Sequence, residues 1–168
     1  MRRAISSLLV LLVSGCSFGF TGGGLPPSIR TVAVLPFDNN TSDPTLAQRV
    51  TVAVKQAVVS RLGLRSAAEA QADAVITGTV QRYDPDQPLA YQGTPTTAGA
   101  PSRVDVTRRQ VELTVDITVV EKKSGRTLWE GKNQVVQGDY DPGREQDGQK
   151  KALDMLVKKV VDGVQQNW

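Results

Sequence analysis

The chain has a single cysteine, Cys16, which follows Val13, Ser14 and Gly15 at the end of a short apolar segment. A sulfur nucleophile in that setting suits thioether formation with a diacylglycerol. Cleavage before Cys16 then frees an amine for N-acylation, typically by palmitate. Small side chains at Ser14 and Gly15 let the backbone enter a peptidase at a membrane surface. Arg2 and Arg3 form a positive leader, and residues 4–13 form its apolar stretch. That stretch is too short to cross a bilayer, which takes roughly 20 residues. The expected organisation is therefore a removed signal peptide over 1–15, a lipidated cysteine with a linker over 16–30, and one domain over 31–168. Each buried methylene of an acyl chain contributes about 0.8 kcal/mol, so several chains anchor firmly. Ser17, in a place where Asp would signal inner-membrane retention, favours export to the outer membrane. Residues 17–30 span at most about 50 Å at roughly 3.5 Å per residue, which keeps the domain near its membrane.

The rest of the chain is poor in catalytic equipment. It contains no histidine. Zinc sites built from Cys and His, Ser-His-Asp triads and Cys-His pairs are thus excluded. One cysteine permits no internal disulfide. Gly22-Gly23-Gly24 is not followed by Gly-Lys-Ser/Thr, so it is a flexible tether rather than a phosphate loop, stiffened by Pro26 and Pro27. No acidic pair stands out for hydrolysis. The expectation is no catalytic residue, no metal and no cofactor beyond the covalent lipid on Cys16. The full chain carries a net charge of +3. Losing Arg2 and Arg3 lowers this to +1, so global charge gives no case for nucleic-acid binding.

Any anionic ligand must then meet a local patch. Lys122, Lys123 and Arg126 cluster at one turn, and guanidinium and ammonium groups suit lipid phosphates. Arg103, Arg108 and Arg109 form an alternative patch. Antiparallel pairing puts the two sets at opposite ends of one strand, so a single site cannot hold both. Asp38, Asn39, Asn40 and Thr41 are read first as a loop that satisfies its own backbone.

The positioning elements follow from periodicity. Thr31–Phe37 is an apolar, β-branched strand. Asp43 fits a helix N-cap with Pro44 behind it, and Leu46, Val50, Val54, Ala57 and Val58 recur at helical spacing until Gly63 stops the helix. Ala74–Tyr83 is a second strand, in which Gly78 marks close packing or a bulge. Residues 84–103, rich in Pro, Gly and Thr, are expected to form a long loop that is either mobile or in contact with a partner. Val111, Leu113, Val115, Ile117 and Val119 alternate with polar residues, giving a strand wet on one face. Val104 and Val106 have the opposite parity, which requires a bend or bulge within Thr107–Gln110. Lys122–Gly125 is a hairpin turn, Thr127–Gly138 a fourth strand with Trp129 as a packing anchor, and residues 145–166 an amphipathic helix. Trp168 ends the chain and suits a contact with a partner's wall. The order β-α-β-β-β-α implies an α/β two-layer sandwich, a four-stranded sheet with two helices on one face.

The lipid-attachment site, the Gly22–Pro27 run, Ile29–Val34, Pro36–Ser42, Ala72–Gly78, the alternating strand from Val111 and Gly125–Glu130 together resemble the lipopolysaccharide-assembly lipoprotein family, LptE. The resemblance covers nearly the whole mature chain in order. It implies a non-catalytic lipoprotein of the outer membrane's periplasmic face, which plugs the lumen of the LptD β-barrel, supports its assembly, binds lipopolysaccharide and helps deliver it to the outer leaflet. The first strand, its loop and Ala72–Gly78 also resemble TolB N-terminal, CsgG-like and LpoB-like periplasmic modules, which assist other envelope machines. The Gly22–Pro27 run and the Trp129 region favour LptE.

Overall fold

The computed structural model describes residues 25–93 and 104–166. Expectations for Val13–Cys16, Arg103 and Trp168, and for residues 94–103 of the anticipated loop, lie outside these residues. The elements are β1 (Thr31–Val34), β2 (Asp38–Asn39), α1 (Leu46–Leu62), β3 (Arg65–Ser66), a 3-10 turn (Glu69–Gln71), β4 (Ala74–Gly93), β5 (Val104–Glu121), β6 (Thr127–Tyr140) and α2 (Glu145–Gln166).

They form an open mixed sheet of six strands in the order β3-β1-β4-β5-β6, with β2 also on β4. The expected count of four is corrected. The two additional strands are two residues each, too short for any alternation to register. β1 runs parallel to β3 and β4, and β2 parallel to β4. β2 resumes the line of β1 after Pro36, which has no N–H to donate. Leu35 N still donates to Ile76 O (3.0 Å) and Asn40 N to Val80 O (2.9 Å), so both sides of the break stay paired with β4.

The alternating positions of β5, Val111 to Val119, are buried as expected and join one core with α1 and α2. Phe37 packs over Gly78, where an added Cβ would lie 2.7 Å from the ring Cδ1, closer still to Cε1, and 2.6 Å from Asp116 O. Close packing is therefore what Gly78 serves. α1 begins later than expected. Asp43 Oδ1 accepts from Thr45 N (2.9 Å) and Thr45 Oγ1 (2.8 Å), closing a turn before the helix starts at Leu46. Gly63 ends it at φ 67°, a left-handed conformation that glycine adopts without strain. Trp129 is half-buried and lies against Gly163 of α2.

The main departure is at residues 84–93. They continue β4 and pair with β5 as far as Gly93↔Val104. Pro85 and Pro88 break the alternation, and the ladder absorbs them through register shifts at Asp84/Gln87 and Pro88/Ala90. Thr107 is the unpaired residue of β5 between Arg108 and Val106, within the segment where a bulge was required. β6 reaches Tyr140, opposite Arg109. Beyond that point β4 and β5 continue alone as a two-stranded ribbon.

Candidate functional site

Three surfaces compete for function. The first is the turn between β5 and β6. Lys122, Lys123 and Arg126 are exposed there. Lys122 N donates to Asp73 O (2.8 Å), and Lys122 Nζ to Glu69 O (2.6 Å). These bonds seat the turn against the start of β4. Parallel pairing adds two cations that sequence spacing could not reveal, since Arg65 N donates to Arg30 O (3.0 Å) beside the Thr31↔Arg65 pair. Asp73 accepts from Arg30 N (3.0 Å), Thr31 N (2.9 Å) and Thr31 Oγ1 (2.8 Å). The Arg30 N–H, then the Thr31 groups, hold its carboxyl below the usual carboxylate range. This carboxylate is committed to the backbone of β1.

The second surface lies at the other end of β5. Arg108 forms an ion pair with Asp139, which also meets Lys151 Nζ at 3.1 Å. Arg109 pairs with Asp86. Tyr140 reaches across β5 and donates to Pro85 O (2.7 Å) and Asp86 Oδ1 (3.0 Å). The Arg109 hydrogen bond, followed by that of Tyr140, lowers the pKa of Asp86. Burial pushes the Tyr140 phenol up to about 12. It therefore remains a donor at every physiological pH and latches the base of the ribbon. On the ribbon, Leu89 and Tyr91 are 51 % and 60 % exposed. Beside it lies an open concavity of about 500 Å³, where Arg108, Arg144 and Lys151 face Asp141 and Asp147. The charges alternate, so this end is internally compensated.

Arg108 and Lys122 are separated by most of β5, roughly 45 Å at about 3.3 Å per residue. The two basic sets are thus distinct, as antiparallel pairing required. The exposed large apolar side chains among the described residues include Leu89 and Tyr91 on the ribbon, and none at the Lys122 turn.

The third surface, Asp38–Thr41, is occupied locally. Asn39 Oδ1 accepts from Thr41 N (3.1 Å) and Oγ1 (2.8 Å), and Asn39 Nδ2 donates to Asp43 O (2.7 Å). Asn40 Nδ2 donates to Gln81 Oε1 (3.0 Å). A separate polar chain, Asp43–Arg49–Gln149–Tyr83, ties together the starts of α1 and α2. Burial pushes Tyr83 up to about 12. Among the described residues there is no acidic or Cys/His group that could hold a metal ion, and no helix long and apolar enough to cross a membrane.

No curated protein matches the chain. Solved structures share its fold. The PelC dodecamer from Paraburkholderia phytofirmans is built from a chain 17% identical with a TM-score of 0.51, covering 86% of this chain and 96% of its own. XCC0632 from Xanthomonas campestris is 9% identical with a TM-score of 0.52, covering 86% and 87%. At such identities the likeness shows the fold alone. The sequence model of the lipopolysaccharide-assembly family matches residues 29–164, which take in all six strands and all but the last two residues of α2. The chain belongs to the LptE family of lipopolysaccharide-assembly proteins.

Proposed function

We propose that the protein is a non-catalytic lipoprotein held at the periplasmic face of the outer membrane by acyl chains on Cys16. There it acts as partner and plug of an LptD-like β-barrel and supports insertion of lipopolysaccharide into the outer leaflet. The observation that carries this reading is the family match over residues 29–164. It favours lipopolysaccharide assembly over the activator role suggested by the periplasmic-module resemblance. The ribbon supports a partner contact, since it projects past the end of β6 and exposes Leu89 and Tyr91.

Lipopolysaccharide has phosphates beside acyl chains. Arg108 and Arg109 next to Leu89 and Tyr91 supply cations beside apolar surface, whereas Lys122, Lys123 and Arg126 supply cations alone. We therefore assign the lipopolysaccharide contact to the ribbon end. Arg108 and Arg109 would exchange their carboxylate partners for phosphate oxygens, which guanidinium binds bidentately.

Photocrosslinkers at Leu89 and Tyr91 test the partnership. Adducts with a large outer-membrane barrel are expected; adducts with a peptidoglycan synthase or a secretion pore would overturn it. Charge reversal at Arg108 and Arg109 in a folded variant should abolish lipopolysaccharide binding. If reversal at Lys122, Lys123 and Arg126 abolishes it instead, the contact belongs at the other end.

A further inference from the structure

We propose that the end of the domain bearing Arg30, Arg65, Lys122, Lys123 and Arg126 docks on anionic phospholipid headgroups of the leaflet that holds the anchor. The inference rests on the reading of Cys16 as the lipidation site. It concerns orientation, which that reading leaves open.

Three observations converge. First, the chain enters the domain at this end. Leu25 packs against the core, and Ile29 and Arg30 lead into β1, whose Thr31 sits beside Arg65. Only residues 17–24 separate Cys16 from Leu25, so the anchor lies within about 32 Å of the basic end at roughly 3.5 Å per residue. The ribbon lies a further length of β5 away.

Second, charge divides along the strand axis. At the entry end five cations, Arg30, Arg65, Lys122, Lys123 and Arg126, are set against three carboxylates, Glu69, Asp73 and Glu121. Asp73 accepts three hydrogen bonds from Arg30 and Thr31, and Glu121 takes the Ser124 hydroxyl. Lys122 Nζ is held by the Glu69 carbonyl, which orients the ammonium without neutralising it. At the ribbon end Arg108, Arg109, Arg144 and Lys151 are matched by Asp86, Asp139, Asp141 and Asp147. A field positive at the entry end turns that end toward an anionic surface.

Third, among the described residues no exposed large apolar side chain lies on the Lys122–Arg126 turn, and the nearest at this end is Val59, near the C-terminus of α1. The turn, polar and cationic, suits a headgroup layer. Lysine and arginine close to an anionic bilayer each contribute about a fivefold gain in partition, lost within a Debye length.

The test uses the full lipidated protein in vesicles of phosphatidylcholine, with or without phosphatidylglycerol. A fluorophore is placed at Ser124→Cys, on the turn, and in a second variant at Tyr91→Cys, on the ribbon. Quenching by headgroup-labelled lipid reports distance from the surface. At position 124, quenching should rise severalfold when phosphatidylglycerol is added. It should fall back in high salt, and the docked fraction should drop by at least roughly tenfold in Lys122→Glu with Lys123→Glu. Position 91 should not respond. Equal quenching of position 124 in both membranes, or stronger quenching at 91, would overturn the proposal. So would a response that appears only when lipid A is included, because the cluster would then be a lipopolysaccharide site. The anchor is tested separately with Cys16→Ser on phosphatidylcholine alone. If that variant stays bound like the parent, the lipidation reading fails, while the phosphatidylglycerol response at position 124 still decides docking.

Discussion

Replacing Gly138 by alanine should loosen the contact between β6 and α2, and the structure sets the scale. Gly138 pairs with Val111 and faces the second turn of α2. A Cβ there would stand 2.8 Å from Ala152 N and 2.9 Å from the Gly148 carbonyl carbon, with the carbonyl oxygen closer still. Ordinary contact starts at 3.4 Å, and the opposing atoms are backbone, so no side chain can swing aside. The helix must retreat by more than half an ångström, pulling Ala152 and Leu156 away from the sheet. Overpacking of this kind costs about 1–3 kcal/mol, offset by roughly 0.4–1 kcal/mol from a stiffer unfolded chain. A net loss of about 1–2 kcal/mol is expected. Urea unfolding followed by circular dichroism should show a lower midpoint with an unchanged slope. Gly93→Ala is the control, because an added Cβ there meets nothing within 4 Å. Gly148→Ala would press on Tyr140 Cδ1 at 2.5 Å, and combined with Gly138→Ala it should cost less than the sum, since one displacement of α2 relieves both. Equal stability of Gly138→Ala and Gly93→Ala would refute the close approach of helix and strand.

Tyr140→Phe removes the donor to Pro85 O and Asp86, leaving an acceptor unpaired. It should cost about 1–3 kcal/mol and speed amide exchange in residues 87–92 well beyond that in β5 near Val115. Lys151 Nζ and Lys159 Nζ donate to the outward carbonyls of Asp139 (2.8 Å) and Val135 (2.9 Å) on edge strand β6. Changing both lysines to alanine should uncover that edge and produce concentration-dependent association in sedimentation, whereas a strictly monomeric variant would show that the lysines do not guard it. Tyr83 and Tyr140 are both raised from 10.0 to about 12, so their contribution is intact below pH 10 and is lost as pH rises toward 12. Asp43, Asp73 and Asp86 are lowered from 3.8, so theirs is present above that pH and is lost as the solution is acidified through their folded values. Thermal melts across pH should fall at both extremes, and a flat alkaline limb would contradict the tyrosine assignment.

Much of this protein is local and therefore legible in its residues. The lone Cys16 and the absence of histidine confine its chemistry without reference to a fold. The alternation from Val111 to Val119, the apolar stripe of α2 and the Lys122–Gly125 turn each depend on spacing along the chain. What needed tertiary structure is what depends on residues far apart meeting. β2 and β3 exist only because β4 and β1 offer them partners, since two residues have no periodicity of their own. Pro85 and Pro88 look like loop residues, yet bulges let the β4–β5 ladder pass them, and the Tyr140 hydroxyl secures the detour. Arg108 and Arg109 read as a free basic patch until pairing brings Asp139 and Asp86 against them. Arg30 and Arg65 read as isolated charges until parallel strands carry them to the same end of the sheet as Lys122. Periodicity records which face of an element is buried, whereas register and bulges are settled by the packing of many elements together. The character of the two ends of this molecule is decided at that second level.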